Sequence, residues 1–129
     1  MALVDYIGFE LGEQLGLKPT LPTGNTGKVG DPAMFGRAPA VMKTNQDATT
    51  GQTTLKFNGV HKFVVQAVDA SAGAAIAPGD DLYFDPTPGT TSGVANPYIN
   101  KDATNGRFFG QAMEAVTSAG KQAIYVRFV

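Results

Sequence analysis

Thr53-Thr-Leu-Lys-Phe57, Asn58-Gly59 and Val60-His-Lys-Phe-Val-Val-Gln-Ala-Val68 follow one another without interruption. The outer two runs are rich in β-branched and aromatic residues, which suit strands. Asn-Gly between two such runs is the strongest short-range signal for a two-residue hairpin. Within residues 60–68 the side chains alternate. Val60, Val64 and Val68 share a face with Lys62 and Gln66, while His61, Phe63, Val65 and Ala67 share the other. This stretch predicts two strands joined by a turn, and with them a β fold.

The same pattern extends in both directions. Upstream, Gly30-Asp31-Pro32 reads as a turn before Ala33-Met34-Phe35-Gly36, Ala40-Val41-Met42 as a short strand, and residues 45–52 as a polar loop. Downstream, residues 70–77 form a small-residue loop. Pro78-Gly79-Asp80 then turns the chain into Asp81-Leu-Tyr-Phe-Asp85, and residues 86–93 form a Pro/Thr/Gly loop. Residues 94–99 suggest a short strand that Pro97 confines to a sheet edge. Asn105-Gly106 is a second turn signal, residues 107–116 read as a strand, and Ser118-Ala-Gly120 turns into a last strand over 122–129. Ile124, Val126 and Phe128 share one face of that last strand. Short strands with turn signals between them predict a mainly β protein: a single small barrel-like or sandwich-like domain.

Composition agrees. The 129 residues include 16 Gly and 8 Pro, with 43% hydrophobic and only 16% charged side chains. That is enough apolar material for one buried core in one domain, and no internal repeat is visible. The formal net charge is −1, which leaves no electrostatic footprint for nucleic acid or anionic lipid. No apolar run approaches a bilayer span. The start, Met1-Ala-Leu-Val-Asp-Tyr, lacks a basic segment and a cleavage site, so no secretory signal is expected. With no cysteine, disulfides and thiolate metal sites are excluded.

Residues 1–25 differ from the rest. Leu3, Ile7, Leu11 and Leu15 recur at helical spacing, and Gly8, Gly12 and Gly16 recur with the same step and weaken an isolated helix. Lys18-Pro-Thr-Leu-Pro-Thr-Gly-Asn-Thr-Gly27 then reads as an extended linker. Two readings fit: an apolar arm ordered by a partner, or a short helix packed on its own domain. On the first reading residues 1–25 are arm and linker, residues 26–129 are the β-domain, and Leu3, Tyr6, Ile7, Phe9, Leu11 and Leu15 are the candidate contacts to a neighbour. Apolar side chains at that density need covering.

No motif for catalysis or for a cofactor emerges. Gly24-Asn-Thr-Gly27-Lys28 approaches a phosphate-binding loop, but position 22 is Pro, and Val29 stands where the Mg²⁺-binding hydroxyl belongs. His61 is the only histidine, and Ser71, Ser92 and Ser118 lack the strained elbow of a nucleophile. Asp80, Asp81 and Asp85 could offer oxygen ligands to a hard cation, yet turn chemistry beside Gly79 and Pro86 explains them without one. Asp31 before Pro32 reads the same way. Phe57, Phe63, Phe84, Phe108, Phe109 and Phe128 occupy strand positions and are expected in the core. No catalytic, metal or cofactor residue is assigned.

Five segments carry a resemblance. Val29-Gly30-Asp31-Pro32-Ala33 with Gly36, Asn58-Gly59-Val60-His61-Lys62-Phe63, Ala77-Pro78-Gly79-Asp80-Asp81-Leu82-Tyr83-Phe84-Asp85, Phe109-Gly110-Gln111-Ala112-Met113-Glu114-Ala115 and residues 120–128 fall in order along the chain. They resemble the successive motifs of the small cement, or decoration, proteins of tailed-phage heads. The third segment, similar to that family's G-D-x-V-Y-W-D, is the most specific. Asp81 departs from the small or apolar residue common there. The resemblance implies a compact β-barrel-like structural protein without catalysis. It implies a homotrimer bound to the major capsid protein on the outer surface of the expanded head, with no direct contact to nucleic acid or membrane. Such a protein is made in the host cytoplasm, where the lack of cysteine is compatible with the reducing environment. A tail or fibre accessory β module of the virion would carry a similar composition and stands as the alternative.

Overall fold

The computed structural model describes residues 13–19, 21 and 27–129, and among them there is no helix. Four strands form an antiparallel sheet: β1 (Glu13–Leu17), β2 (Pro32–Phe35), β3 (Ala38–Met42) and β4 (Thr53–Lys56), in the order β1-β4-β3-β2. Five others close into a barrel: β5 (Val60–Gln66), β8 (Asp81–Phe84), β11 (Ile99–Asn100), β12 (Arg107–Ala112) and β13 (Lys121–Arg127), in the order β11-β5-β13-β12-β8. Two short ribbons project from the loops: β6 (Val68–Asp69) with β7 (Ala72–Gly73), and β9 (Thr90–Thr91) with β10 (Val94–Ala95).

The barrel is filled by side chains, as a barrel of so few strands must be. The alternation in β5 and β13 decides which. Phe63 and Val65 of β5 and Ile124 and Val126 of β13 point inward to join Leu82, Phe84, Ile99 and Phe109. The rings of Phe63, Phe109 and Phe128 meet with centroids 5.1–6.0 Å apart, within the favourable range for aromatic pairs. The four-stranded sheet packs on the barrel through Met34 and Val41, which belong to this core. Its other face holds a smaller cluster of Ala33, Ala40, Met42 and Leu55 beneath Leu17, Leu21 and Phe57.

Several local expectations change. Asn58-Gly59 does not close a hairpin: β4 pairs with β1 and β3, and β5 pairs with β13 and β11. Gly59, at φ +97°, turns the chain out of the sheet and into the barrel, and its carbonyl accepts from the Phe128 N–H at 3.0 Å. Residues 94–99 do break at Pro97, but β11 beyond it is no edge. It sits between β8 and β5 and closes the barrel. The loops at 70–77 and 86–93 carry ribbons where small residues reach positive φ, at Ala70, Ser92 and Gly93. The strand expected over 107–116 ends at Ala112, and Val116 forms an isolated bridge to Ile76. Residues 13–17 are extended rather than helical, because Glu13, Gln14 and Leu17 take ladder partners on β4.

Polar groups inside the fold are paired. Among the described residues, no buried side-chain nitrogen or oxygen lacks a hydrogen-bond partner. The buried Asp102 is the centre of one such set. Its Oδ1 accepts from the Thr104 and Asn105 N–H groups, its Oδ2 accepts from Asn105 Nδ2 at 2.7 Å, and its own N–H donates to Asn100 Oδ1. The Asn105 side-chain and backbone donors hold this carboxyl below its ordinary range. Asp80 is lowered too, first by the Ala77 N–H and then by Lys101, whose Nζ lies 3.0 Å from Oδ2. A depressed folded pKa means a contribution present at neutral pH and lost as pH falls through the folded value. Stability is therefore expected to be flat near neutrality and to fall below about pH 4. Asp102→Asn should reduce that acid dependence in thermal melts while costing about 1–3 kcal/mol at pH 7.

Candidate functional site

Of the candidate contacts, Leu3, Tyr6, Ile7, Phe9 and Leu11 lie outside the described residues. Leu15 lies on β1, an outer strand of the four-stranded sheet. Part of the stretch assigned to the arm is thus a strand of the fold.

The residues weighed for chemistry are occupied locally. The Gly27 N–H donates to Gln46 Oε1 across the fold and the Lys28 N–H to Asp31 Oδ2 within a turn, so both donors are already taken. A Cβ on Gly27 would collide with the Met42 side chain and with Leu21, so the backbone there is packed on the fold. His61 Nε2 is 2.7 Å from the Asn58 carbonyl oxygen, and its ring packs at 5.3 Å on Phe128. Ser92 sits in the β9–β10 turn, and Ser118 packs beside Gly73. Asp80 Oδ2 accepts from the Ala77 N–H, and Asp85 Oδ1 accepts from the Thr87 N–H, as in turns. Among the described residues, no three His, Cys, Asp or Glu side chains gather as a metal site would require.

What the fold does present is a surface. The outward positions of β5 and β13 pair Val60 with Arg127, Lys62 with Tyr125 and Val64 with Ala123. Just past β12, the Met113 N–H donates to the Tyr125 carbonyl, which places Met113 across from that tyrosine. Val60, Val64, Met113 and Tyr125 are 46%, 55%, 47% and 49% exposed, so four large apolar side chains stand half in water on adjoining strands. The charges among them are tied into the face. Lys62 Nζ lies 5.5 Å from the centre of the Tyr125 ring, a cation–π distance. Arg127 donates to Gln111 Oε1 at 2.7 Å. The Glu114 carboxylate accepts from the Tyr125 N–H. An apolar exposed face with internally satisfied charges marks an interaction site better than scattered apolar residues do.

This face was not picked out from the sequence, although its signal was there. The alternation over 60–68 already set Val60 and Val64 beside Lys62. The lysine marks that face as the outer one, which leaves two valines in water. Phe108 corrects another expectation. It is 38% exposed, set edge-on against Tyr83, and not in the core. The register between β12 and β8 slips by one residue between Phe108 and Gly110, so Phe109 takes the inward place.

A family model described as "Phage cement protein" matches residues 13–128, from the first residue of β1 to the inward-facing Phe128. No curated protein and no solved structure matches. The match takes in both the four-stranded sheet and the barrel. The chain therefore belongs to the phage cement protein family, and its role is structural, in stabilising a phage capsid.

Proposed function

We propose that the protein attaches to the outer surface of the expanded head, as a homotrimer on the major capsid protein, and holds neighbouring capsomers together. The outer face of β5, β13 and the end of β12 is the contact we assign to the capsid, joined by the arm residues Leu3, Tyr6, Ile7, Phe9 and Leu11. The observation that carries the reading is the half-exposed set Val60, Val64, Met113 and Tyr125 in a chain of the cement family. On this face Lys62, Arg127 and Glu114 already have partners within it, which lowers the cost of covering them. An interface of about 800 Å² per partner is enough when each assembly grips several sites at once.

The test is co-sedimentation with expanded, undecorated heads. Saturable binding at a fixed ratio to the major capsid protein is the expected result, with a trimer mass in analytical ultracentrifugation. No binding to heads shown to be bare and expanded would overturn the reading in favour of a tail or fibre position. The arm has its own test. Because β1 starts at Glu13, the cut belongs at residue 12. Deleting residues 1–12 is expected to leave the melting temperature within a few degrees and to weaken attachment about tenfold, the loss of one modest contact. Unchanged attachment would remove the arm from the interface.

A further inference from the structure

The chain contains two Asn-Gly pairs, and the fold gives them opposite surroundings. At Asn105-Gly106 both reacting groups are held. The Asn105 amide nitrogen donates to Asp102 Oδ2 at 2.7 Å, and the Gly106 N–H donates to the Asp102 carbonyl at 3.0 Å. At Asn58-Gly59 neither is held. Both residues are exposed, and among the described residues neither the Asn58 side chain nor the Gly59 N–H has a hydrogen-bond partner. The group that is held is the carbonyl between them, 2.7 Å from His61 Nε2. A carbonyl oxygen only accepts, so Nε2 carries the proton and donates it to this bond.

We propose that Asn58 is a site of spontaneous deamidation and backbone isomerisation, promoted by His61, and that Asp102 protects Asn105 from the same reaction. The reaction begins when solvent base removes the Gly59 N–H proton. The negative charge spreads onto the Asn58 carbonyl oxygen, where the His61 Nε2–H already donates. A donor aimed at a developing oxyanion lowers the barrier to forming it. The Gly59 nitrogen then bonds to Asn58 Cγ, and the Cγ–Nδ2 bond breaks. Nδ2 departs as ammonia after taking a proton from water, and a succinimide remains. Water opens that ring. Cleavage of the bond from nitrogen to Cγ leaves aspartate, and cleavage of the bond from nitrogen to the main-chain carbonyl carbon leaves isoaspartate. The sum is Asn plus water giving Asp or isoAsp plus ammonia, with no oxidation or reduction. At Asn105 the Asp102 carboxylate opposes a second negative charge beside it, and the nucleophile and the leaving amide are both tied down. Each event at Asn58 adds one negative charge to a chain of formal net charge −1. The isoaspartate form also lengthens the backbone where it crosses from the sheet into the barrel, two residues before the outward Val60.

The fold's own cleavage sites make the test direct. Trypsin releases Asn58 in peptide 57–62 and Asn105 in peptide 102–107, so one digest reads both. The full chain is incubated folded at mildly alkaline pH, digested under acidic conditions, and each peptide is followed by mass spectrometry, with isoaspartate separated chromatographically. Peptide 57–62 is expected to convert at least about tenfold faster than 102–107, a difference of about 1.4 kcal/mol in barrier. In denaturant the two rates should converge, since only the fold distinguishes them. His61→Phe keeps a ring against Phe128, and a melt shows whether the fold is kept. It should slow Asn58 conversion roughly threefold or more by removing the donor. Equal rates in the folded chain would overturn the proposal, as would an unchanged Asn58 rate in folded His61→Phe.

Discussion

Phe109→Ala is expected to cost about 3–5 kcal/mol, out of the roughly 5–15 kcal/mol by which a domain of this size is stable. The ring is fully buried at the middle of the barrel. It stands edge-on to Phe63 and Phe128 at 5.1 and 5.2 Å and lies near Phe84 at 6.2 Å. Removing it empties a space that three rings border, and side chains from β5, β8 and the end of β13 cannot all collapse into it without breaking their own ladders. The bulge sharpens the expectation. Phe109 faces inward only because the register slips by one at this point, and the next residue must then be small. A Cβ on Gly110 would lie 2.6 Å from the Arg127 carbonyl oxygen and 2.8 Å from Val126 Cγ1. Backbone on β13 cannot retreat cheaply, so Gly110→Ala should cost about 1–3 kcal/mol by overpacking. Denaturant melts would read both. A Phe109→Ala midpoint unchanged from the parent would mean that the ring cluster does not hold the barrel.

The parts of this fold that could be read from the sequence are those where neighbours in the chain decide the structure. The alternation through 60–67 and through 124–128 is a property of single strands, and the structure keeps it with Phe63, Val65, Ile124, Val126 and Phe128 inside. The turn at Pro78-Gly79-Asp80 is local in the same way, closed by Asp80 on the Ala77 N–H. Pairing is not local. Asn58-Gly59 carries the hairpin signal, but whether β4 and β5 pair depends on β1, β3 and β13, which compete for the same ladders. β11 has only two residues and could not be told from a loop edge, since its place is set by β5 on one side and β8 on the other. The helical spacing of Leu11 and Leu15 carried no more weight than that. Once β4 offers an open ladder, residues 13–17 gain hydrogen bonds as a strand, and the glycines make helix costly. The candidate surface was half legible. β5 showed its two valines, but Met113 and Tyr125 join them only through the β12–β13 register.

Changing that surface should separate folding from attachment. Val64→Glu with Tyr125→Glu is expected to keep the fold at a cost of about 1–2 kcal/mol in the melt, since both side chains stand about half in water but the Tyr125 ring and its Lys62 contact are lost. Binding is another matter. The Tyr125 ring carries Lys62 at 5.5 Å and neighbours Met113, so it sits at the centre of the apolar face, where an aromatic residue typically contributes about 2 kcal/mol or more to an interface. A carboxylate in its place must be desolvated on contact, which adds to that loss. Together the two changes should weaken attachment to expanded heads at least about a hundredfold, equivalent to roughly 2.8 kcal/mol. If each assembly binds through several copies the loss is multiplied, because every copy loses the same contact. Ala48→Glu with Thr49→Glu, in the exposed loop at 45–52, adds the same two charges away from the face and should bind like the parent. The comparison also distinguishes two uses of the face. A double variant that keeps the parent's assembly mass but no longer sediments with heads puts the face on the capsid. One whose assembly mass falls puts it between copies of the chain, and the arm would then be left as the capsid contact. Binding and mass both unchanged would mean that these half-exposed side chains meet no partner, and the contact would have to be sought elsewhere, starting with the Tyr83–Phe108 pair on the outside of β8 and β12.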